Sequence, residues 1–209
     1  MELWVDPLDG TKSFSTGQTQ HVTTLIGVAI QGRPRIGIIH KPYFDKNEFG
    51  EEISKTYLGS IECGLFTSEY NYSYTADYDA SRIDRNFNYC QPFSSRPVLN
   101  PKIYEPHIAA TLNRFTAVEE ALKLMKPNLT MRIGGSGNKC LNILDNKAEY
   151  LIHTVKSMKY WDVCAVEALV RGRFGVVTDK DRKPIEYYPA EENGKKNFTI
   201  PNGLIIARN

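Results

Sequence analysis

Two aspartates, Asp6 and Asp9, lie in the run Trp4-Val5-Asp6-Pro7-Leu8-Asp9-Gly10-Thr11. Carboxylate oxygens suit a hard divalent cation, and a glycine followed by a helix start offers free N–H groups to a phosphate. Pro7 has no N–H to give a sheet ladder, so a strand should stop there and project Asp6 and Asp9 from a tight turn. Gly10 permits close backbone approach, and Thr11 should begin a helical turn whose positive end favours an anion. Cation ligands beside phosphate ligands are the parts of phosphoryl hydrolysis. The same residue types also populate ordinary surface turns for conformational reasons.

A second segment lies far downstream, from Lys159-Tyr160-Trp161-Asp162 to Val170. Val163, Val166, Leu169 and Val170 share one helical face, which puts Asp162 at the N-cap beside Trp161. Capping alone would account for that aspartate. Between the two segments, Leu129 to Ile133 reads as an apolar strand that turns through Gly134-Gly135-Ser136-Gly137-Asn138-Lys139 into a short helix carrying Cys140, Leu141 and Leu144. Such a strand–glycine turn–helix unit can hold an anion, and Lys139 adds a mobile charge suited to a phosphate. A flexible connector with a solvated lysine is the other reading of these residues.

Taken together, Asp6-Pro7-Leu8-Asp9-Gly10-Thr11 and Trp161-Asp162-Val163-Cys164-Ala165 resemble the two signature motifs of the inositol monophosphatase-like, lithium-sensitive metal phosphatases. Within that family Arg132 to Lys139, Lys159 to Asp162 and the ending Asn202 to Asn209 are similar to the bisphosphate-nucleotidase branch. The resemblance covers most of the chain outside a central stretch. It implies an αβαβα sandwich and Mg²⁺-dependent removal of the 3'-phosphate from 3'-phosphoadenosine 5'-phosphate, giving AMP and phosphate.

Carried over by position, the resemblance makes Asp6, the Leu8 carbonyl, Asp9 and Asp162 the metal ligands. Gly10 and Thr11 would hold the scissile phosphate, Thr11 and Asp9 would be catalytic, and Thr11 would align the attacking water together with an acidic residue that in the family precedes this motif. Ser136, Gly137 and Lys139 would contact the nucleotide. Mg²⁺ would polarise the phosphoryl oxygens and acidify the water, with no phosphoenzyme. An inositol phosphate phosphatase of the same family, or an inactive remnant that binds metal or nucleotide, are the alternatives.

The family carries a helical segment and an acidic pair ahead of the Asp-Pro-Leu-Asp motif, whereas this chain starts five residues before Asp6. The N-terminal helical layer and its carboxylates are therefore expected to be missing, and an uncovered sheet face should then favour self-association. Glu51-Glu52 falls after the motif and does not replace them. Near Thr111-Leu112-Asn113-Arg114-Phe115-Thr116 the branch shows a Ser-His-Ser-like stretch; Arg114 there could meet a phosphate but is expected to be exposed.

The remaining features frame this site. The 209 residues are 41% hydrophobic, enough for one α/β domain spanning 1–209. A net charge of +2 supplies no basic stripe for nucleic acid, and no apolar run is long enough to cross a bilayer, so a cytoplasmic protein acting on a small phosphorylated nucleotide is expected. Cys63, Cys90, Cys140 and Cys164 lack metal-binding spacing and read as reduced, mostly buried thiols. His21 to Gln31 and Arg35 to His40 predict a hairpin, followed by strands over Lys55 to Ser60 and at Leu65-Phe66. Residues 67–105, rich in Tyr, Asn and Ser, read as an inserted loop. Then come a strand at His107 to Thr111, a helix at Thr116 to Lys126 with a Thr116–Glu119 capping box, and strands at Tyr150 to Thr154, Phe174 to Thr178 and Gly203 to Ala207.

Overall fold

Glycines set the closest packing in the molecule, and they lie on one face of an antiparallel sheet. A computed structural model describes residues 1–71, 87–93, 106–192 and 194–208. Six strands, β1 (Glu2–Asp9), β2 (Thr23–Ile30), β3 (Arg33–Lys46), β4 (Glu52–Ser60), β5 (Gly64–Asn71) and β6 (Asn88–Cys90), pair antiparallel in chain order. Along β2, burial alternates: Thr23, Leu25, Gly27 and Ala29 face inward, as a sheet with one covered face requires. Gly27 pairs with Gly37, and Gly37 with Gly59, so three adjacent strands carry a row without side chains.

The helix α4 (Tyr160–Gly172) lies in that trough. A methyl group on Gly37 would sit 2.2 Å from the Ala165 carbonyl oxygen, and one on Gly27 2.6 Å from the Ala165 nitrogen. The helix is buried on nearly every side, from Val163 to Val170, because a second sheet covers its other flank. Each fully buried valine or leucine there contributes roughly 1.5–3 kcal/mol.

The second sheet contains β7 (His107–Thr111), β8 (Leu129–Ile133), β9 (Tyr150–His153), β10 (Val176–Thr178) and β13 (Leu204–Ala207), in the order β10-β13-β9-β7-β8. β7 runs parallel to β8 and β9, and the other pairs are antiparallel. Residues on β7 point alternately to two cores. Ala109 faces α4 and α3 (Ser136–Leu144), while Ile108 and Ala110 meet Val118 and Leu122 of α2 (Thr116–Met125). The described residues thus stack as sheet, helices α3 and α4, sheet, and α2, an α/β layering. A small hairpin of β11 (Ala190–Glu192) and β12 (Lys195–Asn197) completes the strands. No helix among the described residues is long and apolar enough to cross a membrane.

Four expectations change. β1 does not stop at Pro7: it continues to Asp9 through an irregularity between Asp6 and Asp9, where the ladder needs no proline N–H. The segment expected to be an inserted loop begins by completing β5 at 67–71 and supplies β6 at 88–90; its remainder lies mostly outside the described residues. No Thr116–Glu119 capping box forms, because Phe115 is the N-cap and Glu119 pairs with Arg132 of β8. Cys140 and Cys164 are buried, but Cys63 is exposed and Cys90 half-buried, and all four thiols are free. The outer face of the first sheet carries exposed Leu3, Val5 and Ile36.

Candidate active site

β1 and α4 bring three carboxylates to one point. One oxygen from each of Asp6, Asp9 and Asp162 lies within 4.8 Å of the others. Asp162 is not the N-cap that its sequence position suggests. α4 begins at Tyr160, Lys159 is the N-cap, and Asp162 in the first turn accepts the Lys159 N–H at 2.6 Å through Oδ2. The earlier start follows from aromatic anchoring: Tyr160 packs on Trp4 with ring centroids 5.3 Å apart, and Trp161 on Phe198 at 5.7 Å.

Asp9 is 6% exposed, and its two oxygens are already engaged. Oδ1 accepts the Ser136 N–H at 2.9 Å, and Oδ2 accepts the Gly137 N–H at 2.8 Å and the Thr23 hydroxyl at 2.8 Å. A carboxylate at the start of a helix satisfies orphan N–H groups and complements the dipole, so Asp9 caps α3 from another layer of the fold. The Ser136 and Gly137 amides, expected on a nucleotide, therefore point to Asp9. Gly137 is small for a packing reason: a Cβ there would lie 2.4 Å from the Thr23 Oγ1. Gly135, at φ 72°, turns the chain past the His21 carbonyl, which an added Cβ would approach to 2.5 Å.

Gly10 takes the left-handed φ of 82° and leads into α1 (Thr11–Ser15), as expected of a tight turn into a helix. The Thr11 hydroxyl donates to the Leu8 carbonyl at 3.0 Å, and Asp6 Oδ1 accepts the Leu8 N–H at 3.2 Å. A carbonyl oxygen has two lone pairs, so the Leu8 oxygen keeps one for a further partner.

Lys139 is not the mobile surface charge its sequence context suggested. It is 6% exposed in the wall of a cavity of about 310 Å³, with Gly10, Lys12, Ser13, Gly134 and Gly135. Burial lowers its ammonium pKa, while Asp9 and Asp162 pull it back up. Thr111, Leu112 and Asn113 also line the cavity. Arg114 is exposed and is not among the cavity-lining residues.

Crowding shows in the acids themselves. Burial, followed by the neighbouring Asp9 and Asp6 charges, pushes Asp162 up to about 7 against the opposing Lys159 hydrogen bond. Asp6 is raised as well, first by burial and then by Asp9. Three hard oxygen donors holding excess negative charge at short range fit a divalent cation, which would relieve the repulsion they suffer alone. Thr23, which fixes Asp9, was not identifiable from sequence: a β-branched threonine in a strand carries no chemical signal.

A model described as the Inositol monophosphatase family matches residues 2–209. The chain is 28% identical over 190 residues to 3'(2'),5'-bisphosphate nucleotidase 1 of Homo sapiens, covering 89% of this chain and 52% of that protein. It is 30% identical over 190 residues to putative inositol monophosphatase 3 of Drosophila melanogaster, covering 90% of this chain and 44% of that one. The chain thus spans about half the length of the curated relatives it matches. Its fold matches the crystal structure of 2'AMP-bound SaIMPase-II with a TM-score of 0.65 at 15% identity, over 99% of this chain and 63% of that one.

Proposed function

The chain belongs to the inositol monophosphatase family, a phosphatase family that is generally metal-dependent, and from that premise we propose that it removes the 3'-phosphate of 3'-phosphoadenosine 5'-phosphate with Mg²⁺. The observation that carries this reading is the convergence of Asp6, Asp9 and Asp162 beside the cavity walled by Gly10, Gly134, Gly135 and Lys139. Asp6, Asp9, Asp162 and the Leu8 carbonyl would hold the cation. When bound, Mg²⁺ neutralises phosphoryl charge and makes water a nucleophile near neutral pH.

The protein's own groups do the rest. The amide end of α1 at Gly10 and Thr11, with Lys12 and Lys139 in the same cavity wall, supplies donors and positive charge for the phosphate. Thr11 gives its only hydroxyl proton to the Leu8 carbonyl, so its oxygen is left to accept a hydrogen bond from the attacking water and align it. Asp9 serves twice, as a cation ligand and as the cap that fixes the Gly134–Lys139 turn against the site.

Resemblance to the nucleotidases of the family supports a nucleotide substrate. Gly134 and Gly135 leave one wall without side chains, and Leu112 and Ile133 add apolar surface, which suits a flat base better than a polyol. The inositol phosphate reading draws on the inositol monophosphatase 3 relative.

The test is phosphate release by the purified chain from 3'-phosphoadenosine 5'-phosphate and from inositol monophosphate, with Mg²⁺ or chelator, beside Asp6→Asn. Mg²⁺-dependent release that prefers the nucleotide and is lost in Asp6→Asn is the expected result. Preference for inositol monophosphate would transfer the assignment to the sugar phosphates. No release by folded protein would reduce the chain to a binding remnant.

A further inference from the structure

A second cavity, of about 260 Å³, opens on the other side of the β8–α3 turn, between the first sheet and α3. Ile133 lines both cavities, and the second lies away from the Asp6, Asp9 and Asp162 cluster, none of which is in its wall. Its charge is carried by lysines of its own. Lys41 on β3 reaches into it half-buried, with Nζ donating to Asn138 Oδ1 at 2.8 Å. An ammonium has three protons, and among the described residues no carboxylate lies within ion-pair distance of this one.

Lys147 enters the same cavity. Burial lowers the Lys41 pKa, and the charge of Lys147 lowers it further, against the pull of Asp145. His21 forms another part of the wall, with its Nδ1 buried against Gly134, and burial and Lys41 together disfavour its cation. The single carboxylate in the wall is occupied: Asp145 Oδ1 accepts the Tyr57 hydroxyl at 2.9 Å, and Oδ2 lies 3.7 Å from the Lys147 Nζ.

Two lysines that repel each other and one carboxylate already engaged make a concave surface with spare donors and surplus positive charge. A water molecule can fill a hydrogen bond there but cannot compensate the charge. Oxygen anions do both, through charge-assisted hydrogen bonds. We propose that this cavity is an oxyanion site, separate from the carboxylate cluster, that takes a phosphate- or sulfate-sized dianion between Lys41 and Lys147. The dianion comes either free from solution or as a second phosphate on a bound substrate, since both present the same oxygens.

The experiment is equilibrium dialysis of labelled inorganic phosphate with the full chain in chelator, so that no cation recruits phosphate to the aspartates. One phosphate per chain is expected, bound about tenfold more weakly by Lys41→Gln and restored by Lys41→Arg. Asp145→Asn keeps an acceptor for Tyr57 while removing the negative charge, so it should tighten binding a few-fold, a gain that loss of packing cannot produce. Circular dichroism and thermal midpoints establish that each variant is folded. Displacement of phosphate by 3'-phosphoadenosine 5'-phosphate but not by adenosine would identify a substrate phosphate as the occupant. Displacement by sulfate alone would identify a free oxyanion. No stoichiometric binding, equal binding by folded Lys41→Gln, or weaker binding by Asp145→Asn would overturn the site.

Discussion

The carboxylate cluster and the Lys41–Lys147 cavity, on either side of the first turn of α3, are opposites in charge and in the way their charge is held. On one side Asp6, Asp9 and Asp162 crowd together, and the acid with the most hydrogen bonds, Asp9, is also the cap of a helix. On the other, Lys41 and Lys147 line one cavity with a single engaged carboxylate. The turn Gly134–Asn138 separates them and touches both: Gly137 gives its N–H to Asp9, and Asn138 takes a hydrogen bond from Lys41. A surplus of like charge is thus kept at two places by one short backbone segment, and each surplus marks where a ligand of opposite sign is most stabilising.

The sharpest break in this contrast is Asp162→Asn. It removes negative charge from one side alone, and metal-dependent phosphate release should fall at least about a hundredfold while phosphate binding in chelator persists. Steady-state release and dialysis on the same preparation check it. Gly137→Ala should instead damage both sides together, because the new methyl meets Thr23 and Leu25 and lifts α3 from the sheet. A loss of about 1–3 kcal/mol in a denaturant titration is expected.

Titration sharpens the contrast further. A cation needs Asp162 ionised, and with its pKa near 7 the Mg²⁺ dissociation constant should be about tenfold higher at pH 6 than at pH 8. In chelator the direction for folding reverses. The raised pKa of Asp162 contributes stability that is fully present below the ordinary aspartate range and lost as pH rises through about 7. A chelated protein in which Asp162→Asn leaves the pH dependence of the thermal midpoint unchanged would contradict this. The smallest expected effect is the cap: Asp9→Asn should cost about 1 kcal/mol of stability in chelator, besides its effect on turnover, measured against Asp6→Asn as the control that caps nothing.

Much of the site could be read in advance because its chemistry is local. Gly10 and Thr11 behave as their types demand, a left-handed glycine opening a helix, and β8 leads into α3 as the glycine-rich run indicates. What escaped reading is what the partners of a residue decide. The capping role of Asp9 escaped because the donors it accepts from, Ser136 and Gly137, are more than a hundred positions away in the chain. Asp162 was displaced from the cap by Tyr160 and Trp161, whose rings are anchored by Trp4 and Phe198. Lys139 lost its mobility for the same reason, being enclosed by elements that are neighbours only after folding. Pro7 ended no strand because an irregularity absorbed it.

The glycine row on β2, β3 and β4 also bears on the order of events when the chain folds. The meander can zip by contacts between adjacent strands, but its trough gains nothing until a helix from residues 160–172 arrives across a loop of about a hundred residues. Docking of α4 then belongs to the late side of the folding barrier, and crowding the trough at Gly37 would show mainly as faster unfolding, with the rate of folding little changed.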